Sequence, residues 1–233
     1  MKRILSLSLA CLCGIMVAQA EPALFGDNLQ WELCGTTLSI TSPDPTQPAS
    51  MTFSDGIPWE AAAATITAVE LPDNLTDIGL MAFSGCSALA SIELPNITLI
   101  KDFAFQECIG LTEITLPSSL LEIKSYAFYG CSSLAKVTCL ATTPPALSAN
   151  DVFAGCDASL AICVPNETAL AQYRKADNWK TQYYDELQVC GETPTGMDNA
   201  EGRKDEWTKV LRDGQLLLLR GNKTYNAQGV RVD

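Results

Sequence analysis

Residues 71–92 read LPDNLTDIGLMAFSGCSALASI, residues 94–114 read LPNITLIKDFAFQECIGLTEI, and residues 116–137 read LPSSLLEIKSYAFYGCSSLAKV. Each stretch begins with Leu-Pro, carries an Ala-Phe pair with a Cys three residues after the Phe, and ends on matched Leu and Ile or Val positions. A fourth unit is less regular but keeps the same Phe and Cys. The shared positions are Phe83, Phe105, Phe128 and Phe153, with Cys86, Cys108, Cys131 and Cys156. The chain therefore contains an internal repeat of about 23 residues.

A repeat of this length predicts a solenoid. One unit cannot bury its apolar face alone, whereas stacked units form a continuous core. The stretches Leu89–Leu94 and Leu111–Leu116 alternate apolar and polar residues, which predicts strands with one face inward. Stacked in register, these strands form a parallel sheet with about 4.8 Å between coils. The Ala-Phe-x-Gly-Cys segment is expected to form a turn or a short helix on the opposite side.

The repeat pattern resembles the BspA-type leucine-rich repeat found on surface proteins of Bacteroides-like bacteria and spirochaetes. The resemblance covers residues 69–165 closely, and the flanking residues 26–33 and 173–179 are also similar to the ends of such proteins. It implies an α/β repeat solenoid: a short, right-handed leucine-rich-repeat solenoid with a parallel sheet, an N-terminal β cap and a small C-terminal β tail. It also implies a surface adhesin or a protein-binding module, with no shared catalytic residue.

The composition excludes several classes of function. The 233 residues include 15 Lys and Arg against 27 Asp and Glu, for a net charge of −12. This acidic balance argues against a nucleic-acid partner, which requires a basic footprint. The chain has no His, so catalytic triads, histidine bases and histidine metal ligands are excluded. We therefore expect no enzyme, no catalytic or metal site, and no cofactor.

The first twenty residues carry the pattern of a secretory signal peptide. Lys2 and Arg3 precede the apolar stretch 4–17, and the small residues Ala18 and Ala20 form a cleavage site. A lipoprotein is the alternative, because Cys11 and Cys13 lie in the apolar stretch. No later segment is apolar for long enough to span a bilayer, so the mature chain is expected to have no transmembrane span. The predicted location is secreted or cell surface.

Five segments follow from these patterns. Residues 1–20 are the signal peptide, 21–68 an N-terminal β cap, 69–190 the BspA-like repeats with a C-terminal cap, 191–206 a polar linker, and 207–233 a C-terminal β tail. Within the cap of the repeats, Asn166 is the expected N-cap of a helix over 166–176, and 187–189 is the expected last strand.

The tail differs from the rest of the chain. Its alternating runs separated by Asp213-Gly214 and Gly221-Asn222 predict a β-meander with two hairpin turns. Residues 203–231 hold seven Lys and Arg, over half of those left after signal removal. The ending resembles the short tails of exported Bacteroidetes proteins, some of which are sorting signals. Sorting signal and plain β tail or assembly element both remain open.

The cysteines divide into two groups. The four repeat cysteines are spaced too far apart for a zinc knuckle and are expected to be free, buried and small hydrophobic residues. Cys34, Cys139, Cys163 and Cys190 lie outside this series. A disulfide between Cys163 and Cys190 is compatible with export.

The outward face of the sheet is the expected protein-binding surface, since repeat solenoids bind partners on extended faces. By their offset in the repeat, its side chains are Ser91, Glu93, Glu113, Thr115, Lys136 and Thr138. The alternative is an ordinary solvated strand face. No aromatic residue falls on this face, which disfavours stacking of sugars. Trp31, Trp59 and Trp179 are expected to pack in the caps.

These observations predict an exported surface or secreted leucine-rich-repeat protein that mediates protein–protein interaction, with adhesion to a host matrix or bacterial surface protein as its role. One alternative is a structural or assembly protein that adds a strand from its β tail to a partner. A carbohydrate-binding module is the third hypothesis.

Overall fold

The repeated segments form the successive coils of a parallel-sheet solenoid of about five turns. The computed structural model describes residues 23–54, 56–149 and 151–189, together with the backbone of 208–212, 215–220 and 223–226. The chain divides into two units, residues 1–191 and 192–233.

A four-stranded sheet covers the start of the solenoid. Its strands, in spatial order, are β1 (Ala23–Phe25), β2 (Leu29–Cys34), β3 (Thr37–Thr41) and β4 (Ala68–Glu70). The first three strands are antiparallel, and β4 runs parallel to β3. Gly35 takes a positive φ of 61° in the turn of the β2–β3 hairpin. A 3₁₀ helix, Glu60–Thr65, precedes β4.

Eight short strands build the body of the solenoid. In chain order they are β5 (Asp77–Ile78), β6 (Leu99–Ile100), β7 (Glu113–Leu116), β8 (Glu122–Ile123), β9 (Lys136–Cys139), β10 (Ala146–Leu147), β11 (Ala161–Val164) and β12 (Leu187–Val189). They form two parallel sheets, ordered β5-β6-β8-β10 and β7-β9-β11-β12. The first sheet receives one strand from each coil, whereas the second begins only at β7 and ends with β12, which follows the C-terminal helices.

The predicted parallel sheet is the one formed by β7, β9, β11 and β12. Ile114, Val137 and Ile162 are paired across β7, β9 and β11, and all three side chains are buried. Their neighbours along each strand point to the other face, since side chains alternate along a strand. The alternation that predicted the strands therefore also positions their core residues.

One predicted strand is absent. Residues 91–95, within the expected strand Leu89–Leu94, have no strand conformation. Thr112 N donates to Ala90 O at 3.3 Å, but residues 91–94 make no further backbone hydrogen bond to the next coil in the described structure. The strand of the preceding coil, β4, pairs with β3 along one edge and is the edge strand of the cap sheet. Without a ladder on either side, this segment keeps the alternating burial of a strand but not its hydrogen bonds.

The second parallel sheet was not predicted. Its strands are only two residues long, too short for an alternating pattern to be recognised. Ile78, Ile100, Ile123 and Leu147 are paired in register across it and are buried. The Ile or Leu that recurs five or six residues before the Phe of each unit therefore forms a second ladder.

The Ala-Phe segments form turns rather than helices, and they are also bonded from coil to coil. Phe83 N donates to Ala104 O at 2.8 Å, and Phe105 N donates to Ala127 O at 2.7 Å. The Phe rings stack inside: neighbouring centroids along the series Phe83, Phe105, Phe128 and Phe153 lie 5.4, 5.1 and 5.2 Å apart. We call this series the phenylalanine column.

Tryptophans pack at both ends of the phenylalanine column, as predicted. Trp59 stacks on Phe83 at 6.3 Å between centroids, and its Nε1 donates to Ala82 O. Trp179 packs against Phe153 at 6.3 Å, and its Nε1 donates to Pro145 O. Trp31 is half-buried and contacts Trp59 edge to face. The indoles of Trp59 and Trp179 thus cover the terminal rings while their N–H groups remain hydrogen-bonded, whereas the buried Trp31 Nε1 has no hydrogen-bond partner in the described structure.

The C-terminal cap contains two short helices, α1 (Glu167–Tyr173) and α2 (Trp179–Gln182). The predicted helix is confirmed, although it ends at Tyr173 rather than at residue 176. Asn166 is its N-cap, and its Oδ1 accepts a hydrogen bond from Ala169 N at 2.9 Å. The predicted last strand is β12.

The second unit contains three antiparallel strands, β13 (Thr208–Arg212), β14 (Gln215–Arg220) and β15 (Lys223–Asn226). They confirm the predicted β-meander. The two expected turns, the linker 191–206 and Trp207 lie outside the described residues.

The predicted signal peptide also lies outside the described residues. Within the part of the chain that the structure describes, no helix combines the length and the apolar character needed to cross a bilayer.

Candidate functional site

The structure brings four of the six predicted face residues together on adjacent strands. Glu113 on β7 is directly paired with Lys136 on β9, and Thr115 is paired with Thr138. Lys136 Nζ lies 4.0 Å from Glu113 Oε2, with side chains 52% and 66% exposed. The result is a strip with a mixed charge and two hydroxyls, in which Thr138 is half-buried and the other three residues are exposed. We call these four residues the outer strip.

Ser91 and Glu93 are exposed but do not join a strand. They precede β7 by one coil, in the segment that lacks a ladder. The repeat offset assigned them to the same face, and their exposure agrees with that assignment. Their backbone is not held in register with the outer strip.

The outer face changes character at the next coil. Cys163 is paired with Thr138 in register, yet only 2% of its surface is exposed. Cys163 and Cys34 are both disulfide-bonded. Cys190 lies outside the described residues, so its pairing with Cys163 stays a prediction. Cys139, at the end of β9, is a free and buried thiol whose pKa is raised to about 12 by burial.

The four repeat cysteines are free thiols, as predicted. Cys86, Cys108 and Cys131 are buried, and Cys156 is half-buried. The Cys108 thiol donates to Phe83 O at 3.0 Å, and the Cys131 thiol donates to Phe105 O at 3.0 Å. Each of these two thiols therefore donates a hydrogen bond to a backbone carbonyl of the preceding coil.

Burial makes the Cys86 thiol a poor nucleophile, since the thiolate is the reactive form. Burial raises the pKa of Cys86 to about 12. A hydrogen bond with the Cys131 side chain, followed by burial, raises the pKa of Cys108. Among the described residues, no group of three or more Cys, Asp or Glu side chains could hold a metal ion. The repeat cysteines therefore act as packing residues.

A second surface, on the turns of the coils, was missed from the sequence. Met81, Phe103 and Tyr126 occupy the position directly before the Ala of each Ala-Phe pair. Met81 N donates to Asp102 O and Phe103 N donates to Ser125 O, both at 3.1 Å, so the three residues lie in consecutive coils. The Phe103 and Tyr126 rings are stacked, with centroids 5.1 Å apart and planes within 4°. We call Met81, Phe103 and Tyr126 the turn column.

The backbone of the turn column is in the left-handed region. The φ angles of Met81, Phe103 and Tyr126 are 55°, 56° and 57°. For a bulky side chain this conformation costs about 1–3 kcal/mol. Glycine would adopt this conformation without that cost. Gly85 and Gly130, four residues after Met81 and Tyr126, have a positive φ of this kind. Three successive coils therefore place a large side chain where glycine would be less strained.

Further exposed side chains extend the turn column. Tyr129 packs edge to face on Tyr126, with centroids 5.5 Å apart, and 40% of its surface is exposed. A hydrogen bond with the Asp151 side chain raises the pKa of the Tyr126 hydroxyl. Asp151 Oδ1 is buried and accepts no hydrogen bond within the described structure. The carboxylate therefore lacks a donor at one of its two oxygens.

A small cavity lies at the other end of the turn column. It has a volume of about 70 Å³ and is lined by Ile57, Trp59, Glu60, Ala63, Met81, Ala82 and Ser84. Met81 belongs to both features, so the cavity and the column are continuous. We call the turn column, Tyr129 and this cavity together the turn patch.

A larger and more open groove lies in the N-terminal cap. Its volume is about 550 Å³, and its walls include Ile40, Ser42, Glu70 and Asn74. Asn74 Nδ2 donates to Ser42 Oγ at 2.9 Å. Ser39 Oγ donates to Glu70 Oε2 at 2.7 Å. These polar groups are hydrogen-bonded to one another within the cap. They therefore have a structural role, and we do not assign the groove as a binding site.

Parallel ladders with one repeat per coil define this protein as a leucine-rich-repeat solenoid. Six copies of the BspA type leucine-rich repeat region match residues 61–172. Residues 61–172 are therefore a BspA-type leucine-rich repeat region.

Two solved structures are similar to the chain. A leucine-rich repeat protein from T. pallidum is 29% identical, with 60% of this chain and 69% of that chain covered and a TM-score of 0.41. A leucine-rich repeat protein from Bacteroides ovatus is 25% identical, with 43% of this chain and 32% of that chain covered and a TM-score of 0.26. No curated protein matches the sequence.

The repeat family supports a protein that interacts with other proteins, and proteins of this repeat family are typically not enzymes. The outer strip and the turn patch are candidate surfaces for such an interaction.

Proposed function

We propose that this protein is exported to the cell surface or secreted and that it mediates protein–protein interaction through its outer strip. Its role is adhesion to host matrix proteins or bacterial surface proteins. It binds without a cofactor, a metal or a catalytic step. Ser91 and Glu93 extend the outer strip toward the N-terminal cap.

The observation that carries this proposal is the register of Glu113 with Lys136 and of Thr115 with Thr138. An exposed pair of opposite charges adds little stability to the fold. The same charges remain free to exchange their contact for one with a partner, and a rigid sheet holds them at a fixed spacing. Charge complementarity of this kind determines which partner binds and how fast it associates.

Charge exchange on the outer strip tests the proposal. The single variants are Glu113→Lys and Lys136→Glu, and Lys180→Glu in helix α2 is the matched control. Binding of the mature chain to immobilised host matrix proteins and bacterial surface proteins is measured by biolayer interferometry. The two strip variants are expected to weaken binding at least about tenfold, and the control to leave it unchanged. Binding that survives both strip variants would remove the outer strip from the function.

Export has its own test. The intact mass of the protein recovered from the surface or from the medium should correspond to cleavage after Ala20. A mass that retains residues 1–20 would contradict the signal peptide. Acylated Cys11 or Cys13 would support the lipoprotein alternative.

The assembly alternative is favoured by one observation: strands β13 to β15 form a sheet in a unit of their own. Edge strands of a small sheet offer unpaired backbone groups to a partner strand. Binding by residues 21–190 alone would place the interaction on the solenoid. Binding that requires residues 207–233 would favour assembly through the tail. Specific hits on a glycan array would favour the carbohydrate hypothesis instead.

A further inference from the structure

We propose that the turn patch is a second protein-binding surface and that it takes a basic segment of a partner, in which Arg or Lys flanks an apolar or aromatic anchor. This surface is distinct from the outer strip. The inference goes beyond the proposed function and does not depend on it.

The conformation of the turn column is the first reason. Met81, Phe103 and Tyr126 hold the left-handed conformation in three consecutive coils. Strained backbone of this kind persists where the side chain serves a purpose. The interior of the solenoid does not require these side chains, since the neighbouring Ala and Phe of each coil fill the core. Met81 and Tyr126 remain 42% and 36% exposed.

The composition of the surface indicates a protein partner. Met, Phe and Tyr are enriched at the centres of protein interfaces, and they supply many of the residues that dominate binding energy. The parallel stacking of Phe103 on Tyr126 occupies the ring faces that a sugar would need. The cavity beside Met81, at about 70 Å³, has room for part of one apolar side chain. The turn patch therefore suits a peptide with one anchor residue better than it suits a glycan.

The charges around the turn patch indicate the sign of the charge that a partner should carry. Glu60 lines the cavity, and Asp102 directly precedes Phe103. Asp151 lies beside the Tyr126 hydroxyl. Glu107 N donates to Tyr129 O at 2.8 Å, which places a fourth acidic residue beside the patch.

Positive charge on these turns is scarce. Lys101 forms an ion pair with Asp77, with 2.9 Å between Nζ and Oδ1. Lys124 remains as a second cation in the corresponding position of the next coil. Among the described residues, four acidic side chains against one lysine without an ion pair favour a cationic segment.

A variant that keeps the fold makes the test sharp. The triple variant Met81→Gly, Phe103→Gly and Tyr126→Gly removes the turn column while glycine accepts the left-handed backbone. It is therefore expected to melt within a few degrees of the parent. Leu121→Ser with Leu140→Ser is the matched control, because these apolar residues are 68% and 50% exposed outside the turn patch.

The probe is a phage-displayed library of random peptides of about 12 residues. It is selected on the mature chain and counter-selected on the triple glycine variant. We expect the enriched peptides to pair Arg or Lys with an aromatic or aliphatic residue. Their affinity should fall at least about tenfold on the triple variant and stay within about twofold on the control. Raising NaCl from about 0.05 M to about 0.5 M should weaken binding severalfold.

Three results would overturn the proposal. They are the absence of any peptide that depends on the turn column, enrichment of acidic or uncharged peptides that do depend on it, and a triple variant that unfolds. The last result would assign the three side chains to stability. Tyr126→Ser alone then provides a second check, since a folded variant with unchanged peptide affinity would also contradict the proposal.

Discussion

Lys101 Nζ lies 2.9 Å from Asp77 Oδ1, and this pair joins the second coil of the solenoid to the first. Asp77 is only 7% exposed and also accepts a hydrogen bond from Ser50 Oγ at 2.6 Å, so the contact reaches the N-terminal cap. Lys101 Nζ in addition donates to Met51 O at 3.1 Å. Asp77 of β5 is paired with Leu99 of β6, so the next strand of the same sheet carries an apolar residue at the position that corresponds to Asp77.

The ion pair leads to a first prediction. Lys101→Met leaves the Asp77 carboxylate buried without its cation and should destabilise the protein by about 2 kcal/mol, below the range for a fully buried pair because Lys101 is partly exposed. The double variant Asp77→Leu with Lys101→Met should recover most of this loss. Urea unfolding of the parent, both single variants and the double variant measures the coupling. If Lys101→Met left the free energy of unfolding unchanged, the ion pair would not have the stabilising role given to it.

The phenylalanine column leads to a second prediction. Phe105 is fully buried between Phe83 and Phe128, with centroids 5.4 and 5.1 Å away. Phe105→Ala should destabilise the protein by about 3–5 kcal/mol, because it removes stacked contacts and leaves a cavity. Tyr129→Ala, at an exposed position, should change stability by less than about 0.5 kcal/mol. Urea unfolding measures both changes. Equal losses of stability in the two variants would mean that the phenylalanine column does not dominate the stability of the core.

The buried thiols lead to a third prediction. Cys86 and Cys139 have a pKa of about 12, so at pH 8 almost none of either thiol is ionised. Iodoacetamide should therefore leave both unmodified in the native protein at pH 8 and modify them after unfolding in guanidinium chloride. Peptide mass spectrometry after each treatment identifies the labelled residues. Rapid native labelling of either cysteine would show that the solenoid opens or that the thiol is exposed.

The same pKa values predict how stability depends on pH. In the unfolded chain these thiols ionise near pH 8.5, whereas in the folded protein they stay neutral up to about pH 12. Their contribution to stability is therefore complete below about pH 8.5 and is lost as the pH rises toward 12. Substituting both residues by Ala should flatten the decline of the melting temperature over this interval. An unchanged slope would argue against the assignment.

The C-terminal cap leads to a fourth prediction. Asn166 Oδ1 accepts a hydrogen bond from Ala169 N at 2.9 Å and caps helix α1. Asn166→Ala should cost about 1 kcal/mol, and Asn166→Ser should cost less because a hydroxyl caps nearly as well. Thermal unfolding followed by circular dichroism measures both. Similar losses for the two variants would indicate that the side chain acts through something other than the cap.

Much of the fold could be predicted from the repeat. The positions of Phe105 and Ile114 within each unit recur at every coil, so their burial follows from the period alone. The second sheet could not be predicted, because a strand of two residues such as Leu99–Ile100 has no period to detect. The missing strand before β7 also could not be predicted, since residues 91–94 alternate in burial as β7 does and differ only in lacking backbone hydrogen bonds to the next coil.

The two candidate sites differ in the same way. The outer strip could be predicted, because alternation along β7 and β9 assigns Glu113 and Lys136 to the outward face. The turn column could not, because Met81 and Tyr126 follow no alternating or helical pattern. Their shared left-handed backbone is a property of the turn and is not encoded in the residue types, which favour other conformations.

The sequence by itself determined the solenoid, its coil length, its core residues and the acidic, histidine-free chemistry that leaves binding as the expected function. These depend on period and composition, which are local properties of the chain. Only the tertiary structure decided which backbone groups pair between coils, where the cap ends the ladder, and which side chains outside the core form a continuous surface. Contacts between coils join residues more than twenty positions apart, and their geometry depends on how the stacked turns close.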